Sequence, residues 1–181
     1  MDKAIRLAIQ NIHSTDRELK NQAFAALLSA TDQPVEWAYE AWDGLLHDLK
    51  DPENHVRAIA AQVLSNLAKS DPEGRMLKDF EALLAVTRDE RFVTARHCMQ
   101  SLWKVGVANQ PQRERYLQGL ESRFHECSAE KNCTLIRYDI LQSFRNVYDM
   151  VKDEKIKEKA LELIGIELDA KYRKKYATLW R

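Results

Sequence analysis

Glycine and proline are scarce in this chain, at five and four residues out of 181. Both residues serve turns and interrupt helices, so their scarcity leaves little material for the many turns of a sheet fold. Excess charge of either sign is missing too. The 28 Lys and Arg balance the 28 Asp and Glu, which gives no global attraction to nucleic acid or to an anionic membrane. No segment reaches the roughly 18 consecutive apolar residues that suggest a membrane span. The first ten residues are interrupted by Asp2, Lys3 and Arg6 and lack the unbroken apolar core of a signal peptide. Cys98, Cys127 and Cys133 cannot all pair within one chain and none forms a C-x-x-C unit, which points to a reducing cytoplasm. There is no glycine-rich phosphate loop, no G-x-S-x-G elbow and no H-E-x-x-H metal helix. No catalytic residue, metal or cofactor is therefore expected.

What the chain has instead is helical periodicity. Apolar residues at 45% and charged residues at 31% suit long amphipathic helices, and a chain of this length buries roughly 70% of the surface its unfolded form exposes. Between Asp51 and Lys69, the residues Val56, Ile59, Ala60, Val63, Leu64 and Leu67 recur at three- and four-residue steps and form one apolar stripe. Asp51 is placed as an N-cap and Pro52 as the first helical residue, where a missing N–H loses no bond.

Pro34, Pro72 and Pro111 each precede such a pattern, at spacings of 38 and 39 residues. That spacing is a repeat. Helix pairs are expected over residues 2–30, 34–69, 72–105 and 111–148, with a carboxy-terminal helix or half-repeat over 153–181, all within one domain. Thr15 and Glu18 are spaced as a capping box, Gly106 reads as a helix stop, and Asp153 reads as the cap of the last helix. Aligning the second helices of the pairs sets Leu19, Ala23, Leu27 and Ala30 opposite Val56, Ala60, Leu64 and Leu67. Thr94, Cys98, Leu102 and Val105 follow in the third pair, and Ile136, Ile140, Phe144 and Val147 in the fourth. A lone pair could not bury both faces, so stacking into a continuous core is expected.

The second pair resembles a HEAT repeat, with an aspartate in the turn, Asp51, and Val56-Arg57 at the start of the second helix. The resemblance implies an all-α, right-handed α-α superhelix of four to five helix pairs, in which Asp51 and Arg57 join a hydrogen-bonded ladder along the stack. Lys20 and Ala95 stand where the first and third pairs would carry the arginine, while Arg137 restores it in the fourth without an aspartate six residues earlier. Proteins of the HEAT family serve mostly as interaction scaffolds, so the resemblance also implies a protein partner held on the concave side.

Candidate ligands are few. His125, Cys127 and Cys133 form the one cluster of metal-capable residues in the sequence, but the spacing is not that of a zinc knuckle and no fourth ligand is evident. Cys98 and Trp42 read as core, Trp37 as the edge of a stripe, and Tyr172, Tyr176 and Trp180 as a cap on the end of the stack. On the outward face of the second helices, Gln62, Gln100 and Gln142 share one column, with Trp103 and Arg145 one turn beyond and Arg96 and Tyr138 one turn before. Arg, Trp and Tyr are frequent binding anchors, so these seven residues form the expected partner strip. The leading expectation is a cytoplasmic, non-enzymatic interaction or adaptor module that binds a protein on this strip. The alternative is nucleic-acid binding, since the chain is also similar in size to HEAT-like glycosylases of alkylated DNA bases. The basic run Lys171, Arg173, Lys174, Lys175 and Arg181 would serve that role locally. HEAT-like bilin lyases share the fold class, with no residue here arguing for them.

Overall fold

The computed structural model describes residues 1–181 and contains eleven α-helices, three short 3-10 turns and no strand. The helices are α1 (Lys3–Asn11), α2 (Arg17–Ala30), α3 (Ala38–Asp48), α4 (Asn54–Leu67), α5 (Arg75–Val86) and α6 (Phe92–Ser101). They continue with α7 (Trp103–Ala108), α8 (Gln110–Glu126), α9 (Cys133–Val151), α10 (Glu154–Gly165) and α11 (Ala170–Ala177). The turns are Ala68–Ser70, Cys127–Ala129 and Thr178–Trp180. No helix is long and apolar enough to cross a membrane.

Five of the eleven helix starts are set by short polar side chains that accept from free amides. Asp2, Asp16, Asn109, Asp153 and Asp169 each cap the helix that follows. The predicted Thr15–Glu18 box is replaced by Asp16, whose carboxylate takes the amides of Glu18 and Leu19 at 2.8 and 3.2 Å. Asp51 bonds the amide of Glu53 at 2.7 Å, and regular helix begins only at Asn54, two residues after Pro52. Pro34 and Pro72 likewise lead turns, so α3 and α5 start at Ala38 and Arg75.

The helices lie in two layers. In one, α2 packs on α4, α4 on α6, and α6 on α9; in the other, α5 packs on α8 and α8 on α10. Trp42 links α3 to α5 by donating its indole N–H to Asp79 at 2.9 Å. One connected cluster of buried apolar side chains runs from Ala8 in α1 to Tyr176 in α11. The aligned columns are buried except at Leu19 and at half-buried Ala30. Leu19 is 37% exposed, because no helix precedes α2 in its layer, while Thr94 is buried and donates to the Asn54 carbonyl at 3.3 Å.

Gly106 does not stop a helix; it lies inside α7, with no positive φ. Its role is close approach. A Cβ there would stand 2.7 Å from Val147 and 3.0 Å from the Tyr116 ring, which is fixed by burial and by a 2.7 Å hydroxyl bond to Ser143. Gly106→Ala is therefore expected to lose about 1–3 kcal/mol by overpacking, more than the roughly 1 kcal/mol it gains in helix propensity. Chemical unfolding measures the balance, and a stabilised variant would mean that α7 sits farther from α9.

Basic residues early in α2, α4 and α9 reach acids in the following turn. Lys20 meets Glu53 at 2.5 Å, Arg57 meets Asp89 at 2.5 and 2.8 Å, and Arg137 meets Glu167 at 2.7 Å. Arg57 also holds the Asp51 carbonyl at 2.8 Å, so its link to Asp51 runs through the backbone. The third step, at Ala95, is bridged from the other layer. There the fully buried Arg123 of α8 holds the Thr87 carbonyl at 3.1 Å and both oxygens of Glu130.

Asp71 is a second junction. Its buried carboxylate accepts from the amides of Arg75 and Met76, from the Tyr39 hydroxyl and from Nε2 of Gln112. Gln112 also donates to the Ala68 carbonyl at 3.2 Å. These bonds tie the end of α4 to the start of α8, across the whole of α5, α6 and α7.

Candidate functional site

A cleft of about 410 Å³ opens across the N-terminal halves of α2 and α4 and the middle of α6. It exists because the outward column of the second helices is small at one point. Ala58 occupies on α4 the position that Arg96 holds on α6 and Tyr138 on α9, so no long side chain fills the space. Phe24, Ala58 and Ile59 make the floor, and Gln62 stands at one wall with its amide donating to the Ala58 carbonyl at 3.0 Å.

The rim is mostly cationic and amide. Glu53 is already engaged, with Lys20 at 2.5 Å and His55 Nδ1 at 3.2 Å. The Lys20 hydrogen bond, against the opposing effect of burial, holds the Glu53 carboxyl below its usual range. Arg17, Asn21 and His97 line the same cleft, and all three are exposed with no hydrogen bond or ion pair to the rest of the chain. The cleft thus offers an apolar floor beneath an unneutralised guanidinium, an imidazole and an amide. Such a set suits noncovalent capture of a group that is apolar on one side and anionic on the other.

The seven residues expected to form a strip are differently placed. Only Gln62 lies at the cleft. Arg96 makes two bonds to the buried carboxylate of Asp139 at 2.7 and 2.9 Å, and Gln100 adds a third at 3.3 Å. Gln142 donates to Asn146, and Trp103 is half-buried with the Lys104 ammonium 5.9 Å from its ring. Tyr138 and Arg145 lie under the carboxy-terminal segment, which folds back onto α9. Lys175 stands over the Tyr138 ring at 5.0 Å, Tyr176 beside it at 6.5 Å, and the Tyr176 hydroxyl donates to the Thr134 carbonyl at 2.9 Å. Arg145 bonds Asp149 at 2.9 Å and sits over the Trp180 ring at 5.6 Å. The terminal aromatics therefore pack along α9, and the chain's own end occupies that part of the face.

No family model matches the chain, and no curated protein matches it.

Two clusters of metal-capable residues resolve into other bonds. Cys127 and Cys133 are joined as a disulfide, with Cα atoms 5.1 Å apart, so neither sulfur is a free ligand. This pairing also removes the argument for a reducing compartment that the cysteine count supplied. His13 lies between Asp48 and Asp51, its Nε2 3.2 Å from one carboxylate and its Nδ1 3.7 Å from the other. Both ring nitrogens face carboxylates, which accounts for the grouping without an ion. Burial pushes the Asp48 carboxyl up, with His13 opposing. Cys98 is fully buried, and burial pushes its thiol up as well, which leaves it inert.

Proposed function

We propose that the chain is a non-enzymatic interaction module, a HEAT-like right-handed solenoid of four to five helix pairs that holds a partner protein on the concave face of its second helices. The stacking of helix pairs in two layers supports the solenoid reading. So do the basic-to-acidic steps at Lys20, Arg57 and Arg137, which repeat along one layer. The observation that carries the binding surface is the cleft, where Arg17, Asn21 and His97 have no partner while Arg96, Arg137 and Arg145 are all paired within the chain. The occupant we assign is an extended segment of a partner protein, with an apolar side chain on Phe24 and Ile59 and a carboxylate facing Arg17.

The paired arginines weigh against a nucleic-acid groove, because phosphates would have to compete with Asp139 and Asp149. They also decide which variants are informative. Arg96→Glu would set a second carboxylate beside buried Asp139, so lost binding there would report lost folding. Arg17→Glu with His97→Glu touches no internal contact.

Capture from cell extract, with and without nuclease, should recover the same protein partner with the wild type, and the double variant should bind it at least about tenfold more weakly, the equivalent of one charge-assisted contact. Its helical circular dichroism should be unchanged. Equal capture by both proteins rejects the cleft. Recovery of nucleic acid instead, lost on nuclease treatment or at moderate salt, rejects the adaptor reading.

A further inference from the structure

The two bonded cysteines sit in unequal surroundings. Cys127 is fully buried at the start of its 3-10 turn, whereas Cys133 is half-buried and is the first residue of the 19-residue α9. The dipole of α9 favours a thiolate at that position, and solvent reaches it. Cys133 is therefore the sulfur that an outside reagent meets first, with Cys127 behind it.

The turn between them does not depend on the bond. The Glu130 amide donates to the Cys127 carbonyl at 2.7 Å, and the Cys133 amide donates to the Glu130 carbonyl at 3.1 Å. Buried Arg123 grips both Glu130 oxygens at 2.6 and 2.8 Å while anchored to the Thr87 carbonyl. Ser128 closes the turn with a 2.7 Å bond to the His125 carbonyl. A reduced pair would thus stay face to face, which makes reoxidation intramolecular and gives it a high effective concentration.

We infer that Cys127 and Cys133 form a reversible thiol–disulfide exchange site whose co-substrate is a small disulfide of the glutathione type. In the oxidising direction the Cys133 thiolate attacks one sulfur of the small disulfide, forming a mixed disulfide and releasing one small thiolate. Cys127, after losing its proton to water, attacks the Cys133 sulfur, forms the intrachain bond and releases the second small thiolate. Two protein thiols are oxidised, and one small disulfide is reduced to two thiols. The site is independent of the partner-binding cleft, and nothing in its test relies on that reading.

The test equilibrates the whole chain in buffers of graded reduced-to-oxidised glutathione ratio, blocks free thiols with an alkylating reagent and records intact mass. The expected result is one transition between zero and two blocked cysteines, with Cys98 unblocked throughout unless the protein is unfolded. Cys127→Ser should trap one glutathione on Cys133, and Cys133→Ser should lose the adduct. A bond that persists across the whole series would make this a fixed cross-link and overturn the inference. Two thiols that stay free in excess oxidised glutathione would overturn it equally. Should either variant fold poorly, the wild-type series alone still decides between these outcomes.

Discussion

Trp42→Ala is expected to lower the unfolding free energy by about 3–5 kcal/mol, the range for truncating a large buried aromatic. The side chain is fully buried between the layers, with Tyr39 edge-on at 5.7 Å and the Arg75 guanidinium 5.6 Å from its ring centre. Removing it opens a cavity and leaves Asp79 without its 2.9 Å donor. Since small domains are stable by only about 5–15 kcal/mol, the loss would be a large share of the whole. Trp42→Phe keeps most of the packing and removes the indole N–H, so its cost should be nearer 1 kcal/mol from the hydrogen bond, plus a smaller packing loss. Urea unfolding of both variants separates the two contributions. A cost below about 1 kcal/mol for the alanine variant would place Trp42 outside the core.

Arg57→Ala should cost about 3–5 kcal/mol for a different reason. Its partner Asp89 has a side chain only 5% exposed, and the arginine side chain is itself 12% exposed, so solvent does little to screen the pair. Without Arg57 the carboxylate would keep only the Arg91 amide at 2.8 Å. The same pair sets an acid dependence. Burial alone would raise the Asp89 carboxyl, but the Arg57 bonds, the Arg91 amide and the nearby charges outweigh it and hold the group below its ordinary range. A carboxyl depressed in the folded state stabilises the protein above its unfolded pKa of about 3.9, and that contribution is lost as pH falls through the folded value. The gap in stability between wild type and Arg57→Ala should therefore narrow below about pH 4. A constant gap across the acid range would mean that the pair contributes through shape rather than charge.

The helices were legible because the apolar residues recur at helical spacing, and the stacked arrangement because Pro34, Pro72 and Pro111 recur along the chain. Boundaries were less legible. Three residues separate Pro34 from α3 and two separate Pro72 from α5, so proline marks the end of the preceding segment better than the first residue of the next. Gly106 looked like a terminator because sequence offers no way to see Tyr116 and Val147 closing on it. The strip expected from sequence rests on large side chains, whereas the cleft arises from their absence at Ala58. The aligned column of Ala58, Arg96 and Tyr138 carries that signal as a missing bulk at its first position. Asp149 lies one helical turn from Arg145 and could have been paired with it on sight. Asp139, 43 residues from Arg96, could not. Nor does any local pattern announce that α11 turns back along α9, since Tyr172, Tyr176 and Trp180 form the same apolar stripe whichever helix they cover.

The Asp71 junction bears on how the molecule comes apart. In an array where each unit touches only its neighbours, terminal units can fray or be removed one at a time. Here Gln112 reaches back past an entire intervening pair to Asp71 and Ala68. Cutting the chain before α8 would strip a donor from a buried carboxylate, and cutting it just after Asp71 would strip the acceptors from a buried amide. The middle of the protein should consequently melt as one cooperative block. Shortened versions ending inside it should be expected to precipitate or to unfold, rather than to behave as smaller copies of the whole.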